Sequence, residues 1–135
     1  MKNKILGVIL KVLFSLILLM PILGATGVFP APARDLYNTD QAFAFLQALM
    51  AAGYVNVLMA IVSAVALIAL WTKREALAAV LMAPVTANIV GFHLVLDGGL
   101  LTGGAVPADI LLVLNAYVAW KYRAAYRALF ASAGE

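Results

Sequence analysis

The sequence predicts an all-α integral membrane four-helix bundle with a short interfacial helix between the first and second spans, and three observations carry that prediction. Only 11% of residues are charged and the mean hydropathy is +1.06, whereas soluble domains use about 25% charged residues. Apolar runs recur at the length of about 20 helical residues that a hydrocarbon core of about 30 Å requires. The basic residues, finally, are divided unequally between the connections that join those runs. At 135 residues the chain forms one domain, 1–135, because runs this long must share a single bundle in lipid.

The expected spans are Ile5 to Ala25, Tyr54 to Trp71, Ala76 to Leu96 and Pro107 to Trp120. With the amino terminus in the cytoplasm, Lys2, Lys4, Lys11, Lys73, Arg74, Lys121, Arg123 and Arg127 fall inside and Arg34 alone outside. That asymmetry obeys the positive-inside rule, and an even number of spans returns the carboxyl terminus to the same side. Arg34, Asp97 and Asp109 are then expected to face outward. The pI near 9.4 is thereby a topology signal, and cations spread over short cytoplasmic pieces do not make a nucleic-acid stripe.

The first span also has a signal-peptide reading, with "MKNK" as n-region and "ATG" as cleavage site. Lys11 interrupts the apolar run, which is itself long for a signal, so a retained helix is expected, with Lys11 snorkelling to the cytoplasmic headgroups. Pro30 and Pro32 end this helix. Asn38, Thr39 and Asp40 supply capping oxygens for a new one over Gln41 to Ala52, whose Phe43, Phe45, Leu46 and Leu49 are expected against the bundle or the interface. A bend is expected near Gly53, since a helix unbroken to Trp71 would be about 48 Å long.

Around the third span, Ala79, Ala83, Ala87 and Gly91 form an i, i+4 ladder opposite Leu81, Met82, Val85, Ile89, Phe92 and Leu96. Small faces permit close helix approach in lipid, so the ladder is expected inward and the bulky face toward acyl chains. Thr86, His93 and Asp97 then line one edge of the inward face and Asn88 the other. Pro84 leaves the carbonyl of Val80 without its helical donor. The fourth span is expected to continue through "KYRAAYRALF" into the cytoplasm, with Tyr122, Tyr126 and Phe130 turned to the interface.

The chain's single histidine therefore sits among polar side chains inside an apolar segment, where ionisable groups are costly and mark sites. Candidate ligand-binding residues are His93, Asn88, Asp97, Asn115, Asn56 and Tyr54, with Phe92 and Trp120 as further walls. Asp97, one turn after His93, can orient the imidazole. Interhelical hydrogen bonding is the plainer role for Asn88 and Asn115. No metal is expected, because one histidine and one carboxylate do not complete a ligand set. The absence of cysteine removes thiol chemistry, and Ser15, Ser63 and Ser132 lie at the wrong depth or end for a nucleophilic pairing with His93.

The order "FLQALMAAGY", "LMAPVTANIVGFHLVLDGG" and "LVLNAYVAWKYRAAYRALF", after the opening "KILGVILKVLFSLILL", resembles the DoxX-like family of small four-helix bacterial membrane proteins. The points of resemblance are Ala83-Pro84 with Asn88, Phe92-His93, Ala52-Gly53-Tyr54 and Tyr122-Arg123. The resemblance implies a bacterial inner-membrane bundle related to accessory subunits of quinone-reacting redox systems. The chain departs from the family at Val62, Gly24 and Asn115, where members often carry glutamate, asparagine and an acidic residue, so its polar site is thinner. No cofactor is evident from the residues alone. The expected function is that of an accessory subunit binding a quinone or lipid headgroup in an outer-half cavity near His93. The alternatives are a purely structural or assembly partner of a larger membrane complex, with oligomerisation open, and a membrane enzyme using His93 and Asp97 as an acid-base pair.

Overall fold

The computed structural model describes the backbone of residues 2–131 and the side chains of residues 4–131. It is helical throughout those residues: α1 (Lys2–Ala25), α2 (Asp40–Ala52), α3 (Tyr54–Trp71), α4 (Glu75–Val95) and α5 (Val106–Lys121), with 3-10 turns at Arg34–Leu36, Gly103–Ala105 and Arg123–Leu129. Four of these helices, all but α2, are long and apolar enough to cross a membrane. The chain is thus built as a multi-pass membrane protein.

The spanning helices form a ring in which α1 packs on α3, α3 on α4, α4 on α5, and α5 closes on α1. Phe14 and Leu18 of α1, Leu70 of α3, Met82 of α4 and Leu111 of α5 meet at its centre, each 1% exposed or less. Outside that core, Ile5, Leu16, Leu58, Ile61, Ile68 and Val113 point away from the bundle, more than half exposed. A soluble protein rarely presents so continuous an apolar belt, whereas acyl chains solvate it without penalty.

Local chemistry places the breaks. Thr39 caps α2, its hydroxyl accepting from the Ala42 N–H at 3.0 Å, and Gly53 ends the helix at φ +70°, a conformation a side chain resists. The chain therefore bends between α2 and α3, and α2 lies against α3 rather than extending it. Pro107 stands in the first turn of α5, where its missing N–H costs no hydrogen bond.

Three expectations change. The small-residue ladder of α4 does not face inward: Ala79 is buried and Gly91 half-buried, but Ala83 and Ala87 are exposed, while the bulky Met82 lies in the core at 1% exposure. The reason is that α4 contacts both α3 and α5, so its buried surface is wider than one stripe and takes in Ala78, Ala79, Met82 and Thr86. Lys11 does not simply snorkel, since its ammonium meets the Glu75 carboxylate at the start of α4, 2.5 Å away. The "KYRAAYRALF" segment does not prolong α5, which stops at Lys121. The chain then tightens into the 3-10 turn and folds back, and the Tyr126 hydroxyl donates to the Ala76 carbonyl at 3.0 Å.

Candidate binding groove

A groove of about 860 Å³ opens between α3 and α4 beneath α2 and the connection that precedes it. Leu46 and Leu49 of α2, Leu58 and Val62 of α3, and Val85 and Ile89 of α4 supply apolar wall. Tyr37, Asn56, Asn88, His93 and Asp97 supply the polar part. A mainly apolar concavity with a few convergent polar groups is the usual form of a small-molecule site.

His93 reaches the groove from the last turn of α4 and is held by the residue one turn on: its Nδ1 lies 3.1 Å from Asp97 Oδ2. In a neutral imidazole a carboxylate at that nitrogen favours the tautomer with the proton on Nδ1, which makes Nε2 an acceptor. Phe92 stands edge-on to His93, ring centres 5.1 Å apart, and also meets Phe45 at 5.9 Å and Tyr37 at 6.4 Å. These rings close the outer end of the groove with edge-to-face and tilted contacts.

Asp97, expected at the outward end of the third span, is 1% exposed, and the connection between α1 and α2 is folded onto it. The Asn38 N–H donates to its carboxylate at 2.8 Å, and the Asn38 side-chain amide donates to its carbonyl at 3.0 Å. The Thr39 hydroxyl donates to the carbonyl of Leu96. Gly98, at φ +86°, turns the chain beside this contact, and a Cβ there would meet Asn38 Cβ at 3.6 Å. Burial pushes the Tyr37 phenol above its ordinary range, and the Asp97 charge adds to that, so Tyr37 remains a neutral hydroxyl at physiological pH.

The sequence-derived residues separate into two sets. His93, Asn88, Asn56 and Asp97 line the groove; Tyr54, Asn115 and Trp120 do not. Tyr54 is 72% exposed and Trp120 70%, and the Arg123 guanidinium stacks on the Trp120 ring at 4.7 Å. Asn115 is buried between α5 and α4. Its nitrogen, turned to the Ala79 carbonyl at 3.0 Å, leaves its oxygen to accept from the Thr86 hydroxyl at 3.0 Å and the Ala83 N–H at 3.3 Å. Ala79 and Ala83 lie in the turn before Pro84 and Thr86 just after it, so Asn115 satisfies backbone and hydroxyl groups where the proline disturbs the helical pattern.

Tyr37 and Leu36 were missing from the sequence reading, although both line the groove. Their one signal was the aromatic-polar run "LYNT", which reads equally well as a helix cap. Beside the large groove, a smaller cavity of about 290 Å³ lies between α1, the Phe29–Pro32 segment and α2, and Leu46, Asn56 and Met59 belong to the walls of both. No protein-family model, no curated protein and no solved structure matches the chain.

Proposed function

We propose that this protein is a small bacterial inner-membrane accessory subunit that binds a quinone or lipid headgroup in the groove beside His93. Both termini are cytoplasmic in this reading, and its partner is a membrane redox or assembly complex, as the resemblance to DoxX-like proteins implies. The observation that supports it is the groove itself. An apolar channel of this volume ends at His93, Asn88 and Asn56, polar groups that are costly to leave unsatisfied at membrane depth. An amphiphile satisfies both halves at once, with its tail against the aliphatic walls and its head on the imidazole and amides.

A second reading, a structural partner in a larger complex, is favoured by the outward Ala83 and Ala87 of α4, which allow close approach of another helix. An acid-base enzyme is less well supported, because Asp97 is already committed to the outer loop.

Solvent extraction of the protein purified in mild detergent, followed by mass spectrometry, tests the binding reading. The expected result is a co-purifying amphiphile, present at near one per chain and lost from a folded His93→Ala variant. Equal retention in the two proteins contradicts it.

A further inference from the structure

The two halves of the groove differ in chemistry. Along α4 the lining runs from Val80 to His93, about 20 Å of helix at 1.5 Å per residue. Its part farthest from His93 is bounded by Val62, Val80, Leu81 and Val85, and the polar side chains in the lining lie nearer the α2 end. Among the described residues no lysine or arginine lines it, and Asp97 is its one carboxylate. A phosphate head in that position would meet a like charge and no cation.

The hydrogen-bonding capacity narrows the head further. His93 Nδ1 is taken by Asp97, and with the ring neutral this leaves Nε2 as an acceptor. A carbonyl brought to it would set two acceptors against each other, whereas a hydroxyl would donate. The amides of Asn56 and Asn88, each offering donor and acceptor, make no side-chain hydrogen bond with the protein among the described residues, unlike Asn38 and Asn115.

We infer that the groove takes an amphiphile whose head is uncharged and bears at least one hydroxyl, donated to His93 Nε2, with its apolar tail lying inward along Val85, Val62 and Leu81. This rests on the binding reading above and narrows it. A quinol supplies that hydroxyl, whereas its quinone meets only the Asn56 and Asn88 amides and binds more weakly; a diacylglycerol supplies it as well, and an anionic phospholipid brings a charge that nothing in the lining offsets. Quinol and diacylglycerol share the chemistry, and their relative retention identifies which of them is the source.

The full chain in nanodiscs is titrated with decylubiquinol kept reduced under nitrogen, decylubiquinone, dioleoylglycerol and dioleoylphosphatidylglycerol, with native mass spectrometry as readout. Val85→Trp and, at the more exposed mouth, Leu58→Trp fill the groove; His93→Phe removes the acceptor. The expected result is binding of at least one hydroxyl probe about tenfold tighter than quinone and phosphatidylglycerol, the worth of one well-placed hydrogen bond. The preference over quinone disappears in His93→Phe while that over phosphatidylglycerol stays, and binding disappears in both tryptophan variants. Quinone or phosphatidylglycerol bound as tightly as the hydroxyl probes, with all binding lost in the tryptophan variants, overturns the head assignment and leaves the groove standing. A preference over quinone that survives His93→Phe overturns the role of Nε2. Binding unchanged in both tryptophan variants overturns the groove reading along with it.

Discussion

Asn38 and Asp97, separated by 59 residues in sequence, are joined by two hydrogen bonds: the Asn38 N–H to the Asp97 carboxylate at 2.8 Å and the Asn38 amide to the Asp97 carbonyl at 3.0 Å. This contact fastens the connection between α1 and α2, and with it the start of α2, to the end of α4. The same carboxylate positions His93. One side chain thus serves both the imidazole and part of the loop attachment, the rest of which goes to the backbone carbonyls of Asp97 and Leu96.

Asp97→Ala removes the carboxylate's bonds to the Asn38 N–H and to His93, and should lower stability by about 1–3 kcal/mol. Limited proteolysis is the sharper measurement. Cleavage should appear between Thr26 and Gly53 in the variant while the spanning helices stay protected, and a loop as resistant as in the wild type would contradict the attachment.

Asn115→Leu should cost about 1 kcal/mol, near the value of membrane hydrogen bonds, through the loss of its contacts with Thr86 and the backbone around Pro84. Because Asn115 lies outside the groove, ligand retention should not change. Thermal melting and retention measured on the same sample separate the two effects.

Lys11 and Glu75 should show coupling. Their side chains are 28% and 13% exposed, so replacing either one leaves a largely desolvated charge alone. In a double-mutant cycle, Lys11→Met with Glu75→Gln should be less destabilised than the sum of the single changes. Strict additivity would mean that the pair contributes nothing.

Alkaline pH should weaken the fold through Tyr37. Burial and then Asp97 raise its pKa above the ordinary 10.0, so the folded state resists losing the proton that the unfolded state gives up. The stability contribution is intact below the ordinary value and is lost as pH rises through the raised one. Tyr37→Phe should show a smaller fall in melting temperature above about pH 10 than the wild type, although Tyr126, also raised by burial, keeps a residual slope.

The spans were legible because length and hydropathy act locally. The expected segment Tyr54 to Trp71 coincides with α3, and the bend at Gly53 follows from a glycine that alone tolerates φ +70°. What the sequence hid was lateral and long-range. Which flank of α4 faces inward depends on α3 and α5 packing on different sides of it, so the ladder rule pointed Ala83 and Ala87 the wrong way. Asp97 read as a rim residue because nothing near it in sequence reveals that Asn38 and Thr39 return to cover it. Of the candidate site, His93, Asn88 and Asn56 could be read from polarity in an apolar run. Tyr54 and Asn115 satisfy the same criterion, yet one faces outward and the other pairs with Thr86.

The central claim is that the groove between α3 and α4 holds an amphiphile with its head at His93. Cryo-electron microscopy of the protein in nanodiscs, enlarged by a rigid fusion, tests it most directly. The account predicts an elongated density along Val62 and Val85 that ends within hydrogen-bond distance of His93 Nε2 and the Asn88 amide. A groove closed by its own side chains, or filled by the helix of a neighbouring copy, would contradict it.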